Sequence, residues 1–568
     1  MIFFKPNGSL NIATDPSDLP ESTDGNNITS DALTRFKNLR SDQKGVTKLR
    51  DGSSKLHVSA IDTAIWLLVE QGGNRYAFAG TSIYRNESSI ASSLTNAQWS
   101  AIRYNQFNDT DQQIFALNGT DRKRINGTTV AEWGIAAPTV VPTVAVGVGT
   151  GLTGAYLAKY TYCRKVGSVV VSESNPSAAS ASQTLANQAL RVTWTASSDT
   201  QVTHVRVYRT LTGGLIYNHD QDVAIGTTTV DTNTADSALG DPVEIDHDRP
   251  PLGSFVIGPT FDGMCFIIFN NFLYYCKARQ PEYWPSASNI EIGPPQAPGR
   301  CAVIFNGQVF VLTKNEIVNI IGTGDGTFLP ISMKARTGAQ GIFGAYSVAG
   351  YGIFHTGQDG VYLFAGGQDK NFTDSAFAPI FRGETVQGLP GVSEMGTAWL
   401  HAYGKNLYFG YTSTGNSYPS NVLVLNIDTG KVVYHVYNDG SEIQIRCITT
   451  DETNSRIIVG DSTGFIRKIE DKTVTTDSGT AISWEAQSKD FTLQTRAHFP
   501  RWNKFDVDAS SSTTCNGYLL LDGSVHQTHT ITGNRNTVRR LIKEGNGERC
   551  ALRLSGSGPV SIYAVESE

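Results

Sequence analysis

Charged residues and methionine are scarce in this sequence, and long apolar runs are missing. Asp, Glu, Lys and Arg make up 17% of its 568 residues and only 4 residues are Met, whereas soluble domains average about 25% charged residues. No uncharged apolar stretch reaches the roughly 18 residues of a transmembrane helix, so we expect no membrane span. The start, MIFFKPNGSL, lacks the features of a signal peptide, and we expect a soluble chain made in the cytoplasm.

Motifs of metal binding and catalysis are also missing. The His residues are dispersed, without HExxH or CxxC…CxxC spacing, and there is no G-x-S-x-G elbow. Asp506 and Asp508 lie on one face of a predicted strand, at positions i and i+2. Glycosidases do use two carboxylates, but a pair of this kind on one strand is common on protein surfaces. We therefore expect no enzymatic activity, no metal and no cofactor. The net charge of −6 gives no general basis for nucleic-acid binding.

The cysteine count of 7 is odd, and most of the cysteines lie in apolar runs. This placement favours buried, reduced thiols over disulfides. The residues concerned are Cys163, Cys265, Cys276, Cys301, Cys447, Cys515 and Cys550.

Glycine is abundant, with 56 residues, and short apolar runs alternate with Gly, Asn and Asp along most of the chain. Such a pattern predicts an all-β fold of short strands and tight turns. Residues 51–136 and 251–490 repeat one unit: an apolar strand, a turn such as Asn-Gly or Asp-Gly, and a second apolar strand. The units recur every 40 to 50 residues or so, which is the spacing of propeller blades. We predict a β-propeller core from these two segments.

Three further segments differ from the blades. Residues 137–250 contain some seven predicted strands with aromatic residues on one face, which predicts an inserted fibronectin-III-like or Ig-like sandwich. Residues 1–50 are polar and dotted with acids, and we expect an extended N-terminal arm and a first strand. Residues 491–568 predict a C-terminal β unit that closes the propeller or forms a tail tip.

Two local features are candidate contact sites. The basic cluster in the C-terminal unit could face DNA phosphates, or it could lie on an outer strand face or a subunit contact. Its members are Arg535, Arg539, Arg540 and Lys543. Tyr283 and Trp284, in ARQPEYWPSAS, could stack on a sugar, although packing of a Trp-Pro loop over a blade edge is the favoured interpretation.

Several phrases together resemble the tail-nozzle family of short-tailed bacteriophages, also called tail tubular protein B-like, and the related packaged-DNA stabilisation proteins. The phrases are LNIATDPSDLP with TSDALTRFKNLRSDQKGVTKLRDG, then NNFLYYCKARQPEYWPSAS, GAQGIFGAYSVAGYGIFHTGQDGVYLFAGG and the terminal SGSGPVSIYAVESE. They occur in the family's order over most of the chain outside 137–250.

The resemblance implies a structural virion protein of the tail. Its subunits would form a ring, usually a hexamer, below the portal and adaptor proteins, close the tail channel, retain packaged DNA and release it at infection. Tail fibres are further partners that the resemblance allows. Two alternatives stay open from the residues themselves: a receptor-binding or carbohydrate-binding propeller, with 283–284 and the sandwich as contact surfaces, and a propeller hydrolase with two carboxylates in a cleft.

Overall fold

A computed structural model of the chain describes residues 2–24, 27–41, 46–105, 112–324, 326–492, 502–509, 514–532, 536–541 and 547–567. These residues fall into two units. The first unit holds Met1–Ser89, Leu312–Ile317 and Ser332–Glu568, and the second holds Ile90–Val311 and Val318–Ile331.

The strands of the first half of the chain form N-terminal pieces, blades and an inserted sandwich. The N-terminal strands are β1 (Ile2–Phe4), β2 (Ser22–Asp24), β3 (Asn27–Ser30), β4 (Leu33–Lys37), β5 (Leu39–Ser41), β6 (Thr47–Leu49) and β7 (Gly52–Lys55). Two four-stranded meanders follow: β8 (Ile65–Gln71), β9 (Asn74–Ala79), β10 (Ser82–Arg85) and β11 (Ser88–Ala91), then β12 (Ser100–Asn105), β13 (Gln112–Leu117), β14 (Arg122–Asn126) and β15 (Thr129–Glu132). The sandwich strands are β16 (Thr143–Tyr156), β17 (Ala158–Val166), β18 (Val169–Glu173), β19 (Gln183–Thr193), β20 (His204–Thr210), β21 (Tyr217–Ala224) and β22 (Thr229–Thr232).

Three more meanders continue the chain. They are β23 (Phe255–Ile257), β24 (Phe266–Phe269), β25 (Phe272–Tyr275) and β26 (Asn289–Glu291); β27 (Gly299–Phe305), β28 (Gln308–Thr313), β29 (Ile317–Ile321) and β30 (Leu329–Ser332); β31 (Ala345–Val348), β32 (Gly352–Thr356), β33 (Val361–Phe364) and β34 (Lys370–Asn371). Helical residues are confined to α1 (Asp374–Phe381) and to 3₁₀ turns at Asp236–Ala238 and Phe261–Gly263 within the described ranges.

The last part of the chain has two blades and the terminal strands. The blade strands are β35 (Val392–Tyr403), β36 (Asn406–Ser413), β37 (Asn421–Asn426) and β38 (Val432–Val436), then β39 (Ile445–Asp451), β40 (Arg456–Asp461) and β41 (Ile466–Asp471). The others are β42 (Thr476–Asp477), β43 (Thr480–Ala481), β44 (Ser483–Ser488), β45 (Phe491–Thr492), β46 (Trp502–Ala509), β47 (Thr514–Leu521), β48 (Ser524–Ile531), β49 (Asn536–Leu541), β50 (Arg549–Ser557) and β51 (Val560–Ser567). The predicted all-β fold, with propeller-type blades, an inserted sandwich and a C-terminal β unit, is confirmed.

Turn chemistry accounts for the meanders. Asn306 and Gly307 join β27 to β28 with φ values of 49° and 76°. A two-residue hairpin turn of this kind needs positive φ at both positions, and Asn-Gly supplies it at low cost.

Within the second unit, the sandwich has one sheet in the order β16-β19-β22 and another in the order β18-β17-β20-β21. Tyr160, Leu190, Trp194 and Val205 are buried between the two sheets. The first strand pairs with the fourth strand of the sandwich, whereas in Ig constant domains the first strand pairs with the second.

Within the first unit, an N-terminal strand completes the last blade. β7 pairs with β41, so that Lys55 lies opposite Arg467 and Ser54 opposite Lys468. The next blade in sequence packs against the same sheet through Ile65 and Cys447, which are both buried. The last blade is therefore built from residues at two distant places in the chain.

The segment 1–50 is not an extended arm, and that prediction was wrong. β1 lies between β3 and β51, and β4 lies between β38 and β44. Phe4, Leu10 and Leu33 are fully buried. Apolar residues scattered among the acids thus supply core contacts, and the N-terminal strands share their sheets with the strands of the C-terminal unit.

The cysteines fulfil the expectation of buried thiols. All seven are free and buried. Burial raises the pKa of Cys301 to about 12, so this thiol is protonated and unreactive near neutral pH. Among the described residues, no helix has the length and apolar character that crossing a bilayer requires.

Candidate functional site around Glu470

The basic cluster predicted for DNA or subunit contact falls only partly within the described residues. Arg535 and Lys543 lie outside them. Arg539 and Arg540 lie on β49, opposite Lys504 and Asn503 of β46. Contact of these four residues with DNA or another subunit stays a prediction.

Tyr283 and Trp284 are buried and do not form an open sugar-stacking loop. Their exposed fractions are 7% and 1%. The indole N–H of Trp284 donates to the carbonyl of Pro281 at 2.7 Å, and its ring meets that of Trp133 edge-on at 5.6 Å. Packing of a Trp-Pro loop, the favoured interpretation, describes this arrangement.

Glu282, beside those aromatics, joins the sandwich to two neighbouring blades of the second unit. Its Oε1 accepts from Nη2 of Arg164, on β17, at 2.5 Å, and lies 3.8 Å from Nε of Arg124, on β14. All three side chains are buried. A buried carboxylate needs such partners because isolated burial of its charge is costly.

Glu244, Asp246 and His247 are the one group of potential metal ligands found among the described residues. Nζ of Lys277 lies 2.9 Å from Glu244 and 2.6 Å from Asp246. The lysine ammonium therefore already supplies the positive charge that these carboxylates need, and we assign no metal here.

Glu470 occupies a strained position in the first unit. It has a φ of 55°, although it is not glycine and lies within β41. The pairing of β41 with β7 shifts register between Lys468 and Asp471, which marks a bulge. Bulges re-aim side chains, and left-handed φ values in non-glycine residues cluster at functional sites. Glu470 is therefore the centre of the candidate site.

Three side chains hold the Glu470 carboxylate. Nη2 of Arg40 lies 2.7 Å from its Oε2, the Tyr437 hydroxyl donates to Oε1 at 2.6 Å, and Nδ1 of His435 lies 3.4 Å from the same oxygen. Burial alone would raise the pKa of Glu470, but the charge of Arg40 and the contacts with His435 and Tyr437 hold this pKa well below its usual range. The carboxylate stays ionised.

Burial favours the neutral form of His435. Its side chain is 3% exposed. Burial lowers the pKa of His435 below its usual value, against the opposite pull of Glu470.

Two cavities of about 370 Å³ each adjoin this centre. Arg40, Asn406, Tyr408 and Glu470 line both of them. We call the first the Thr429 cavity, which is also lined by Gly8, Ser41, Asn426, Thr429, Lys431 and His435. We call the second the Tyr403 cavity, which is also lined by Asp51, Tyr403, Asn454, Ser455, Arg456 and Lys472.

The lowered pKa of Glu470 suits a hydrogen-bond acceptor and not a proton donor. Asp51 and Glu470 both bind Nη2 of Arg40, at 3.1 and 2.7 Å. A glycosidase needs one carboxyl with a raised pKa as its proton donor. Because the pKa of Glu470 is lowered, Glu470 cannot fill that role near neutral pH.

Sequence reasoning missed this site entirely. Arg40 and Glu470 are far apart in the chain, and Glu470 stands in FIRKIED, where alternation simply indicates a strand. Neither the bulge nor the positive φ has a marker there, because no Gly or Asn occupies the position.

Comparisons with known proteins leave the family open. No family model matches the chain, and no curated protein matches it. The extracellular domain of a putative hybrid two-component system from B. thetaiotaomicron is 9% identical over 91% of this chain, with a TM-score of 0.26; the chain spans 60% of its length, less than two thirds. PorZ, a surface component of the type-IX secretion system of Porphyromonas gingivalis, is 10% identical over 92% of this chain and 81% of its own, with a TM-score of 0.24. An exo-β-1,3-galactanase from Phanerochaete chrysosporium is 9% identical over 91% of this chain and 100% of its own, with a TM-score of 0.18. Scores this low support no argument about function.

Proposed function

We propose that this chain is a structural virion protein, the tail nozzle subunit of a short-tailed bacteriophage, and that it has no catalytic role. In this proposal the subunits form a ring, a hexamer, below the portal and adaptor proteins. The ring closes the tail channel over the packaged DNA and opens at infection. The observation that supports it best is the structural role of the residues on which the family resemblance rests.

The N-terminal phrases of the resemblance supply packing and a buried ion pair. Leu10 and Leu19 are 0% and 4% exposed. Arg50, in the phrase KLRDG, is 1% exposed and binds Asp477 at 2.5 Å. Residues that hold a scaffold together are the ones that a family of structural proteins must share.

The later phrases behave in the same way. In PEYWP, Glu282 and Trp284 are buried, and Glu282 binds Arg164 of the sandwich. In GVYLF, Val361 and Tyr362 are 2% and 1% exposed. These residues do not form a substrate-binding surface, which favours a structural over an enzymatic role.

An exposed apolar stripe supports assembly of the chain with other proteins. Leu329 and Ile331 alternate on the edge strand β30 and are 59% and 43% exposed, and Ile321 on the neighbouring β29 is 37% exposed. An apolar edge strand left in water is an aggregation hazard, and burial in an interface removes it.

Negative-stain electron microscopy of the purified chain, alone and mixed with portal and adaptor rings, tests the proposal. We expect rings with a central hole that cap the adaptor. The double variant Leu329→Glu/Ile331→Glu should lose ring formation, while Val58→Glu, at an isolated position that is 97% exposed, should keep it. Dispersed monomers that ignore the portal and adaptor rings would refute the nozzle function and favour the receptor-binding alternative.

A further inference from the structure

The two cavities beside Glu470 have the size and lining of a ligand site. Their volumes of about 370 Å³ each exceed the space that one sugar ring fills and lie in the range of small-molecule pockets. Side chains with hydrogen-bond donors and acceptors line them. Among these are Asn406, Asn426, Thr429, Asn454 and Ser455.

Most of the charges around the Tyr403 cavity are already paired. Four of its five basic side chains have carboxylate partners: Arg40 with Asp51 and Glu470, Lys405 with Asp428, Arg456 with Asp451, and Lys468 with Asp471, at 2.7–3.1 Å. The fifth, Lys472, is exposed. An anionic ligand of any of these four cations would have to break an existing pair, which leaves it the exposed Lys472 at this cavity. A neutral ligand with many hydroxyl groups could instead add hydrogen bonds to the remaining lone pairs and N–H groups.

Tyr403 supplies an aromatic wall. Its side chain lines the cavity, its residue is half-buried, and its hydroxyl donates to the backbone carbonyl of Ser455, which fixes the ring. The face of a fixed aromatic ring packs against apolar C–H groups. A sugar combines the two features that such a cavity would recognise. It has hydroxyl groups along its edge and C–H groups on one face.

Backbone strain at Glu470 is the independent sign of function. The positive φ and the bulge in β41 turn the carboxylate to the junction of the two cavities, where it meets Arg40. Such strain persists where it serves an arrangement that a regular strand cannot provide. An ionised carboxylate accepts hydrogen bonds strongly, and sugar hydroxyls are donors.

We infer that the Thr429 and Tyr403 cavities together bind a neutral saccharide of one or two sugar units, with Tyr403 as the stacking platform and Asn406 and Glu470 as hydrogen-bonding residues. The inference stands apart from the nozzle proposal, since a ring-forming chain and a monomeric chain could each carry the site.

Saturation-transfer NMR on the full chain tests it. The probes are glucose, galactose, mannose, rhamnose and N-acetylglucosamine, each at about 10 mM, since weak sites bind in the millimolar range. We expect transfer to at least one of them. Tyr403→Ala and Asn406→Ala should each weaken binding of that sugar by about tenfold or more, whereas Tyr403→Phe should retain most of the binding because the ring remains.

Tyr217→Ala is the matched control. Tyr217 is also half-buried, but it lies on the sandwich strand β21 and lines neither cavity. Its replacement should leave sugar binding unchanged. The inference is overturned if the folded wild-type chain gives no transfer to any of the five sugars, or if the Tyr403→Ala and Tyr217→Ala chains bind alike. Binding of glucuronate or sulfate without any neutral sugar also overturns it, because the ligand would then be an anion.

Discussion

Arg50 is the residue whose loss should do the most local damage in the first unit. Its guanidinium is fully buried and binds both oxygens of Asp477, at 2.5 and 3.1 Å. It also donates to the side chain of Asn38 at 2.9 Å and to the carbonyl of Val436 at 2.7 Å, and it lies 4.2 Å from the ring centre of Tyr437. The side chain thus links the N-terminal strands to the last two blades.

The expected cost follows from the charge that is left behind. Arg50→Met leaves the Asp477 carboxylate, 1% exposed, without its cation. Removing one partner of a buried ion pair costs about 3–5 kcal/mol. Asp477 keeps hydrogen bonds from the Ser53 hydroxyl and the Asn438 amide, so the lower part of that range is the better figure.

Hydrogen exchange read by mass spectrometry is the suitable assay, because a chain of several domains does not unfold in one step. If β7 and β42 open more easily by about 3 kcal/mol, exchange in peptides that contain Gly52–Lys55 and Thr476–Asp477 should speed up by roughly two powers of ten. Arg382→Met is the control, because its pair with Glu384 is exposed on both sides, and it should leave exchange unchanged.

The double variant Arg50→Met/Asp477→Asn separates the ion pair from general packing. With neither charge present, it should be more stable than the sum of the two single variants by about 2 kcal/mol. Equal exchange in wild type and Arg50→Met, or strict additivity in the double variant, would refute the reasoning.

Three further predictions concern acid sensitivity, a glycine and the sandwich. Burial lowers the pKa of His401 to about 4 from an unfolded value near 6.5, so the stability of the fold should fall by roughly 3 kcal/mol as the pH drops from about 6.5 toward 4. His401→Gln should therefore lose less of its thermal midpoint than the wild type does between about pH 7 and pH 4.5. An equal loss in both proteins would contradict this. Gly464 has a φ of 84°, and a Cβ there would lie 1.9 Å from a backbone oxygen, so Gly464→Ala should cost about 1–3 kcal/mol of local stability. Hydrogen exchange near residue 464 should speed up clearly more than exchange near residue 415 does in Gly415→Ala, where a Cβ meets nothing. Deletion of 137–250 should leave a folded but weakened remainder, because Glu282 loses its nearer arginine. Adding Glu282→Gln to the deletion should raise the melting temperature of the remainder. A deletion product that never folds would contradict the assignment of 137–250 as a separate inserted domain.

The blades and the sandwich could be predicted because their signals are local. An Asn-Gly pair such as Asn306-Gly307 predicts its turn type from two residues alone, and the apolar runs on either side predict the strands. Alternating aromatics in the sandwich likewise place Tyr160 and Tyr162 on one buried face of β17. Packing of the Trp-Pro loop that holds Tyr283 and Trp284 was the favoured interpretation of the sequence, and both residues are buried.

The terminal strands and the site could not be predicted, since their partners are distant. The sequence of β4 predicts only a short segment with polar flanks. Its position between β38 and β44 is seen only in the structure. Nothing in the sequence around Arg40 indicates a special role. Its contact with Glu470, at 2.7 Å, depends on the bulge in β41. Pairings of this kind depend on the completed sheets, and a single sequence contains no record of them.

The pairing of β1 with β51 sets the order of events during synthesis. Ile2 lies opposite Ser567, so β1 must wait for a strand that is made much later. Until then β1 presents unpaired N–H and C=O groups, while blades with local contacts can already form. A nascent chain stalled before β51 is made should therefore hold finished blades beside an open edge of β1.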